Sequence, residues 1–227
     1  SAQLINKEAL RLVHAMGRQD IERVTPSVGA EQEYFLVDKA LWARRRDLVL
    51  CGRTLFGAKS AKSQELDDHY YGTLDTRVKA FMAELDRELW KLGVFAKTEH
   101  KEVAPGQHEL APVFSGANSA TDHNQLIMEL MKRIAPKHGM VCLLHEKPFA
   151  GMNGSGKHNN WSLSTESGEN LLNSGKEPSE NTLFLLLLTA VIAAVDDHQD
   201  LIRFSACSYS NDLRLGQTEA PPAIISV

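Results

Sequence analysis

The sequence predicts an α+β fold. Two observations point to it. Segments with helical periodicity and short runs of strand formers succeed one another irregularly, without the β-α-β alternation that builds a parallel sheet. Two such strand runs also flank Pro105-Gly106, a dipeptide well suited to a type II turn, so they read as a hairpin. The chain of 227 residues is long enough for one large domain or two small ones. No internal repeat or low-complexity linker marks a boundary, so residues 1–227 are read as a single domain.

Residues 4–17 place Ile5, Ala9, Leu12, Val13 and Met16 on one helical face. EQEYFLV, residues 31–37, reads as a strand: it is short, rich in β-formers, and follows Pro26 and Gly29. Residues 52–72 hold Gly52, Gly57, Ser60, Ser63 and Gly72 with no period, which predicts a long loop of the kind that is uncommon unless functional or disordered. Residues 74–92 carry the clearest helical stripe, with Leu74, Val78, Phe81, Met82, Leu85, Leu89 and Leu92, and Gly93 stops it. Residues 94–103 and 107–113 are the hairpin strands. A helix follows over 121–134, with Leu126, Ile127, Leu130, Met131 and Ile134 inward. Residues 140–148 and 157–165 read as strands, and a long helix spans 180–204. Its apolar run, 183–195, falls short of the about 20 residues a membrane span needs and is expected in the core.

Composition excludes several classes. At 43% hydrophobic and 24% charged the chain is an ordinary soluble protein. A net charge of −4, with no basic cluster larger than the three arginines at 44–46, argues against a nucleic-acid binder. The first residues carry charges every few positions and do not form a signal peptide, so no membrane association is expected. Cys51, Cys142 and Cys207 are odd in number, far apart and outside any C-x-x-C, which reads as reduced thiols in a cytoplasmic protein.

The chemistry concentrates in three places. GMNGSGKHNNWS, residues 151–162, matches the phosphate-binding G-x-x-x-x-G-K through Gly151, Gly156 and Lys157. His158 then stands where the motif needs a hydroxyl for Mg²⁺. The residues that follow place Trp161 and Leu163 on one side, as in a strand, where a P-loop needs a helix N-terminus. A nucleotide hydrolase centred on Lys157 is therefore the weaker reading, and His158 becomes a candidate metal ligand. Taken alone it would be a surface histidine. Glu31 and Glu33, two apart on a strand, emerge on one face roughly 7 Å apart, and share parity with Phe35 and Val37, which should draw them toward the interior. Glu102 and Glu109 flank the Pro105-Gly106 turn, which can fold them onto one side. Each pair alone fits a solvated surface. Clustered without a cation they would repel, by up to about 4 kcal/mol per close pair. Oxygen ligands with one imidazole suit Mg²⁺ or Mn²⁺.

In this order, GAEQEYFLV, EVAPGQHELAP, NGSGKHNNWSLS and NDLRLGQTEAPPAIIS resemble the catalytic domain of glutamine synthetase, and GRTLFGA, QELDDHYYG, TDHNQL and HEKPF resemble its type III branch. The resemblance spans nearly the whole chain. It implies a curved, mainly antiparallel sheet with packed helices, and ATP-dependent ligation of ammonia to L-glutamate through a γ-glutamyl phosphate. It further implies two Mg²⁺ or Mn²⁺ ions per active site and a ring-shaped homo-oligomer. Glu33, Glu102 and Glu109 match ligands of the first ion, and Glu31 and His158 match ligands of the second. Asn153 and Gly154 match glutamate-binding positions, and Asn160 and Ser162 align near ATP. Arg214 matches the arginine that grips a substrate carboxylate, and Glu219 the flap glutamate that shields the intermediate.

Three departures qualify the match. The family's last ligand of the second metal and its later phosphate-binding arginines would lie beyond Val227, its small N-terminal domain is absent, and Leu213 stands where a polar residue is expected before Arg214. The expectation is an incomplete catalytic domain, inactive by itself. A γ-glutamyl ligase using another amine and a non-catalytic remnant kept for assembly or regulation are the remaining alternatives. Elsewhere, QELDDHY at 64–70 reads as a solvated loop, His145 as a hydrogen-bonded core residue, and DDHQD at 196–200 as an exposed helix turn.

Overall fold

The computed structural model describes residues 1–205 and 207. In chain order the elements are α1 (Ala2–Ala15), β1 (Val24–Ala30), β2 (Gln32–Asp38), α2 (Lys39–Ala43), α3 (Arg46–Cys51), α4 (Thr76–Lys91), β3 (Ala96–Lys101), β4 (Gln107–Pro112), β5 (Ser115–Gly116), α5 (Ala117–Ile134), β6 (Met140–Leu143), β7 (Asn159–Thr165) and α6 (Thr182–Ser205). The strands form two sheets, ordered β5-β1-β7 and β3-β4-β2-β6. Every pairing in both is antiparallel. Helices with antiparallel sheets make this the expected α+β architecture.

The strand anticipated at 31–37 is the second half of a longer extended stretch. β1 belongs to the three-stranded sheet and β2 to the four-stranded one, with Glu31 alone between them. β1 was hidden because Pro26 and Gly29 are turn formers by type. β2 is central and buried on both faces. Tyr34 and Leu36 pack with Phe81, Leu85, Leu89, Ile127 and Met131 of α4 and α5, while Phe35 packs with Leu48, Ala104 and Leu143. Burial on both sides explains why QEYFLV lacks a clean polar-apolar alternation.

α4 buries Val78, Phe81, Met82, Leu85 and Leu89 of the predicted stripe, whereas Leu74 and Leu92 lie outside the helix, Leu74 partly buried and Leu92 exposed. Its first turn is capped by Asp75, whose carboxylate accepts from Arg77 N at 2.8 Å. α1 buries Ala9 and Val13 against Ile21, Val24, Leu171 and Leu187, but Ile5 and Met16, expected on that face, are 41% and 38% exposed. The strand expected over 140–148 ends at Leu143, and His145 follows it half-buried, its Nδ1 accepting from Lys147 N at 3.0 Å.

The apolar run of α6 corrects the sequence reading. Only Phe184 and Leu187 of this helix are buried, and Leu185, Leu186 and Ile192 are exposed. Its apolar residues occupy more than one face, so burying them takes more than the single layer that α1 and Leu171 provide. By length and composition α6 is also sufficient to span a membrane, although Asp196, Asp197, His198 and Asp200 fill its second half.

Candidate active site

The β3–β4 hairpin brings the first carboxylates together. Gly106 adopts φ +74°, and the turn is closed by Gln107 N donating to Ala104 O and Glu102 N donating to Gln107 O. In the four-stranded sheet Glu109 lies opposite Glu33 on one side and His100 on the other. Residues 156–158 run beside 31–33, where Glu31 N donates to His158 O and Glu33 N to Gly156 O, each at 3.0 Å. All five expected ligand positions, Glu31, Glu33, Glu102, Glu109 and His158, thus gather where the chain passes between the sheets.

Two groups of ligand atoms form there. Glu31, Glu109 and His158 each present an atom within 4.8 Å of the others, as do His100, Glu102 and Glu109. Glu109 stands in both. The structure therefore gathers the five residues without dividing them into the two ligand sets that the resemblance implies. His158 Nδ1 is 3.4 Å from Glu31 Oε2, and His100 Nε2 lies 2.9 Å from Glu102 and 3.1 Å from Glu109. Glu33 is turned into the floor, its Oε2 accepting from Gly156 N at 2.6 Å and from Gln107 Nε2 at 3.3 Å.

Electrostatics tie these groups into one site. Burial, the charge of Glu31, the hydrogen bond and charge of Glu102, and the charge of Glu33 push the Glu109 carboxyl up to about 9. Among the described residues the ion-pair partners of Glu31, Glu102 and Glu109 are imidazoles, not Lys or Arg. Such a donor set fits a divalent cation that takes the place of the Glu109 proton.

The glycine loop is stitched to this floor. Gln107, fully buried, donates through Nε2 to Gly154 O at 2.8 Å, and its Oε1 accepts from Ala104 N at 3.0 Å. Asn153, 7% exposed, is held by Gln64. After Lys157 the chain enters β7, not a helix, and Lys157 Nζ lies against Met128 Sδ. The Lys157-centred hydrolase lacks the helix N-terminus it requires. Asn160 and Ser162, on β7, share strand parity with His158 just before it and pair opposite Gly29 and Ser27, and the Ser162 hydroxyl donates to Asn170. Arg214 and Glu219 lie outside the described residues.

The sequence reading missed four residues here. His100 has the same strand parity as Glu102, and Gln107 the same as Glu109, a signal that was available. Gln64 and Tyr70 sit in the segment read as a solvated loop. In the structure Tyr70 packs edge-on against His100, with ring centroids 5.4 Å apart. Its hydroxyl pKa is raised by burial and by the charges of Glu102, Glu109, Tyr71 and Glu31. The loop therefore lies across the site.

The family described as glutamine synthetase, catalytic domain, matches residues 7–224. The chain belongs to the glutamine synthetase family. It is 57% identical over its full length to a glutamine synthetase of Butyrivibrio fibrisolvens, and 52% identical to the type-3 glutamine synthetase of Dictyostelium discoideum. It spans about a third of each relative, 32% and 31% of their lengths. The cryo-EM structure of Plasmodium falciparum glutamine synthetase shares the fold, with TM-score 0.64 at 19% identity, over 92% of this chain and 42% of that one. A GmaS/ADP complex gives TM-score 0.62 at 22% identity, over 94% and 44%. The type III character expected from GRTLFGA and QELDDHYYG agrees with the Dictyostelium relative.

Proposed function

We propose that this chain carries the metal-binding and glutamate-binding part of an ATP-dependent glutamate–ammonia ligase. The observation that supports it best is the gathering of Glu31, Glu102 and Glu109 with His158 and His100 in two groups of ligand atoms that share Glu109, with Glu33 opposite Glu109 in the sheet. Glu33, Glu102 and Glu109 would hold one Mg²⁺ or Mn²⁺, and Glu31 and His158 would contribute to a second. When bound, such ions neutralise the several negative oxygens that phosphoryl transfer to a carboxylate brings together.

The chain's own residues do the rest. Asn153 and Gly154, anchored by Gln64 and Gln107, position the glutamate for attack on the ATP terminal phosphate. Arg214 pairs with a substrate carboxylate. Asn160 and Ser162 lie on the nucleotide side, and Glu219 excludes water until ammonia arrives. The family's ring-shaped homo-oligomer and a cytoplasmic location complete the reading. Cys51, Cys142 and Cys207 are all free thiols, as a reducing compartment requires.

The test is phosphate release by the protein with its native flanking sequence. Release should need glutamate, ammonium, ATP and Mg²⁺ together, and yield glutamine. Equal turnover with larger amines would defeat ammonia as the substrate, and ATP hydrolysis indifferent to glutamate would defeat the ligase.

A further inference from the structure

The loop between α3 and α4 reaches the glycine loop through the side chain of Gln64. Gln64 Oε1 accepts from Asn153 N at 2.7 Å, and Gln64 Nε2 donates to Asn153 Oδ1 at 2.9 Å. The pair is separated by 89 residues in sequence. Around Gln64 the loop is braced on itself: His69 Nε2 lies 2.9 Å from Ser63 O, and Lys62 pairs with Asp68. Leu66 and Asp67, both left-handed with φ +57° and +53°, are held in a conformation that side chains other than glycine rarely adopt.

The two hydrogen bonds determine an orientation that neither would alone. A backbone N–H can only donate, so the Gln64 atom facing Asn153 N must be its oxygen. The other Gln64 atom is then the NH₂, which can only donate, so the Asn153 atom it meets must be Oδ1. The Asn153 Nδ2 hydrogens are therefore left for whatever lies in front of that amide. Asn153 is buried in a loop whose neighbours are already fixed, since Gly154 O is bound by Gln107 and Gly156 N by Glu33. Flipping its amide is thus the main freedom left to it.

We propose that Gln64 is a positioning residue that locks the Asn153 amide with its donor end toward the ligand, so that the loop accepts a carboxylate there. The assignment rests on the reading of Asn153 as a glutamate contact given above. Gln64→Glu isolates the orientation from the tether. A carboxylate still accepts from Asn153 N, but its second oxygen now needs a donor. Asn153 then turns Nδ2 back to residue 64 and presents Oδ1 to the substrate. Gln64→Met is the neutral counterpart, which removes both hydrogen bonds and leaves the amide free to flip.

The experiment is steady-state kinetics of both variants, in the protein with its native flanking sequence, alongside Mn²⁺ binding and thermal unfolding. In Gln64→Glu, KM for glutamate should rise by about tenfold or more, while KM for ATP, Mn²⁺ affinity and the melting temperature stay near wild type. Gln64→Met should raise the same KM by a smaller factor. An unchanged KM for glutamate in Gln64→Glu overturns the role. An effect confined to Gln64→Glu and absent from Gln64→Met overturns it too, because charge alone would then suffice, as does a parallel loss of Mn²⁺ binding. If wild type fails to use glutamate at all, the functional reading falls and this role with it. Normal wild-type turnover with unaltered variants removes this role alone.

Discussion

Glu109 faces three other carboxylates in a buried position, and without a cation it keeps its proton up to about pH 9. Its folded-state pKa lies above the ordinary value of 4.5, so between those values the folded chain binds more protons than the unfolded one. Stability from this group is therefore fully present below about pH 4.5 and is lost as pH rises toward 9. In chelator, the melting temperature should fall across that window. Glu109→Gln should remove most of the fall, and saturating Mn²⁺ should flatten it in the wild type; thermal unfolding at a series of pH values measures all three. Glu33 has a different task, because Gly156 N donates to it at 2.6 Å. Glu33→Ala leaves that buried N–H without an acceptor and should cost about 1–3 kcal/mol in urea unfolding. Glu33→Gln, which keeps an oxygen there, should cost less.

Among the elements, the β3–β4 hairpin sets the spacing of Glu102 and Glu109, and Gly106 sets the hairpin. At φ +74°, with an added Cβ 3.2 Å from Leu36 O, Gly106→Ala is both strained and crowded. It should lower stability by about 1–2 kcal/mol, read by denaturant unfolding, and weaken Mn²⁺ binding in step. This hairpin was legible because Pro105-Gly106 sits between two runs of strand formers, and α4 because its apolar stripe has a helical period. β1 was not legible. Pro26 and Gly29 mimic a turn, and long-range pairing, with β7 along 24–30 and with β5 at Ser27 and Val28, makes that segment a strand. The five ligand positions could be named from residue type and family resemblance, but their convergence depends on register. Glu33 meets Glu109, and residues 156–158 lie beside 31–33, through long-range pairing that no local pattern encodes. Gln64 and Tyr70 escaped for the same reason: a loop without periodicity gives no hint of what it will lie across.

At the scale of the whole molecule, α6 exposes Leu185, Leu186 and Ile192, together an apolar surface of the kind that promotes association. The isolated chain should bind a hydrophobic dye and self-associate in sedimentation velocity, and Leu186→Glu with Ile192→Glu should reduce both. A strictly monomeric wild type would contradict this. Gathering side chains from β2, the hairpin and the glycine loop into one metal centre is the central claim, and Mn²⁺ titration followed by electron paramagnetic resonance tests it most directly. Saturable binding in the wild type, weakened on the order of tenfold or more by both Glu102→Gln and His158→Ala, is the predicted result. Mn²⁺ binding that neither substitution changes would contradict it, because the hairpin and the glycine loop would then not share a centre.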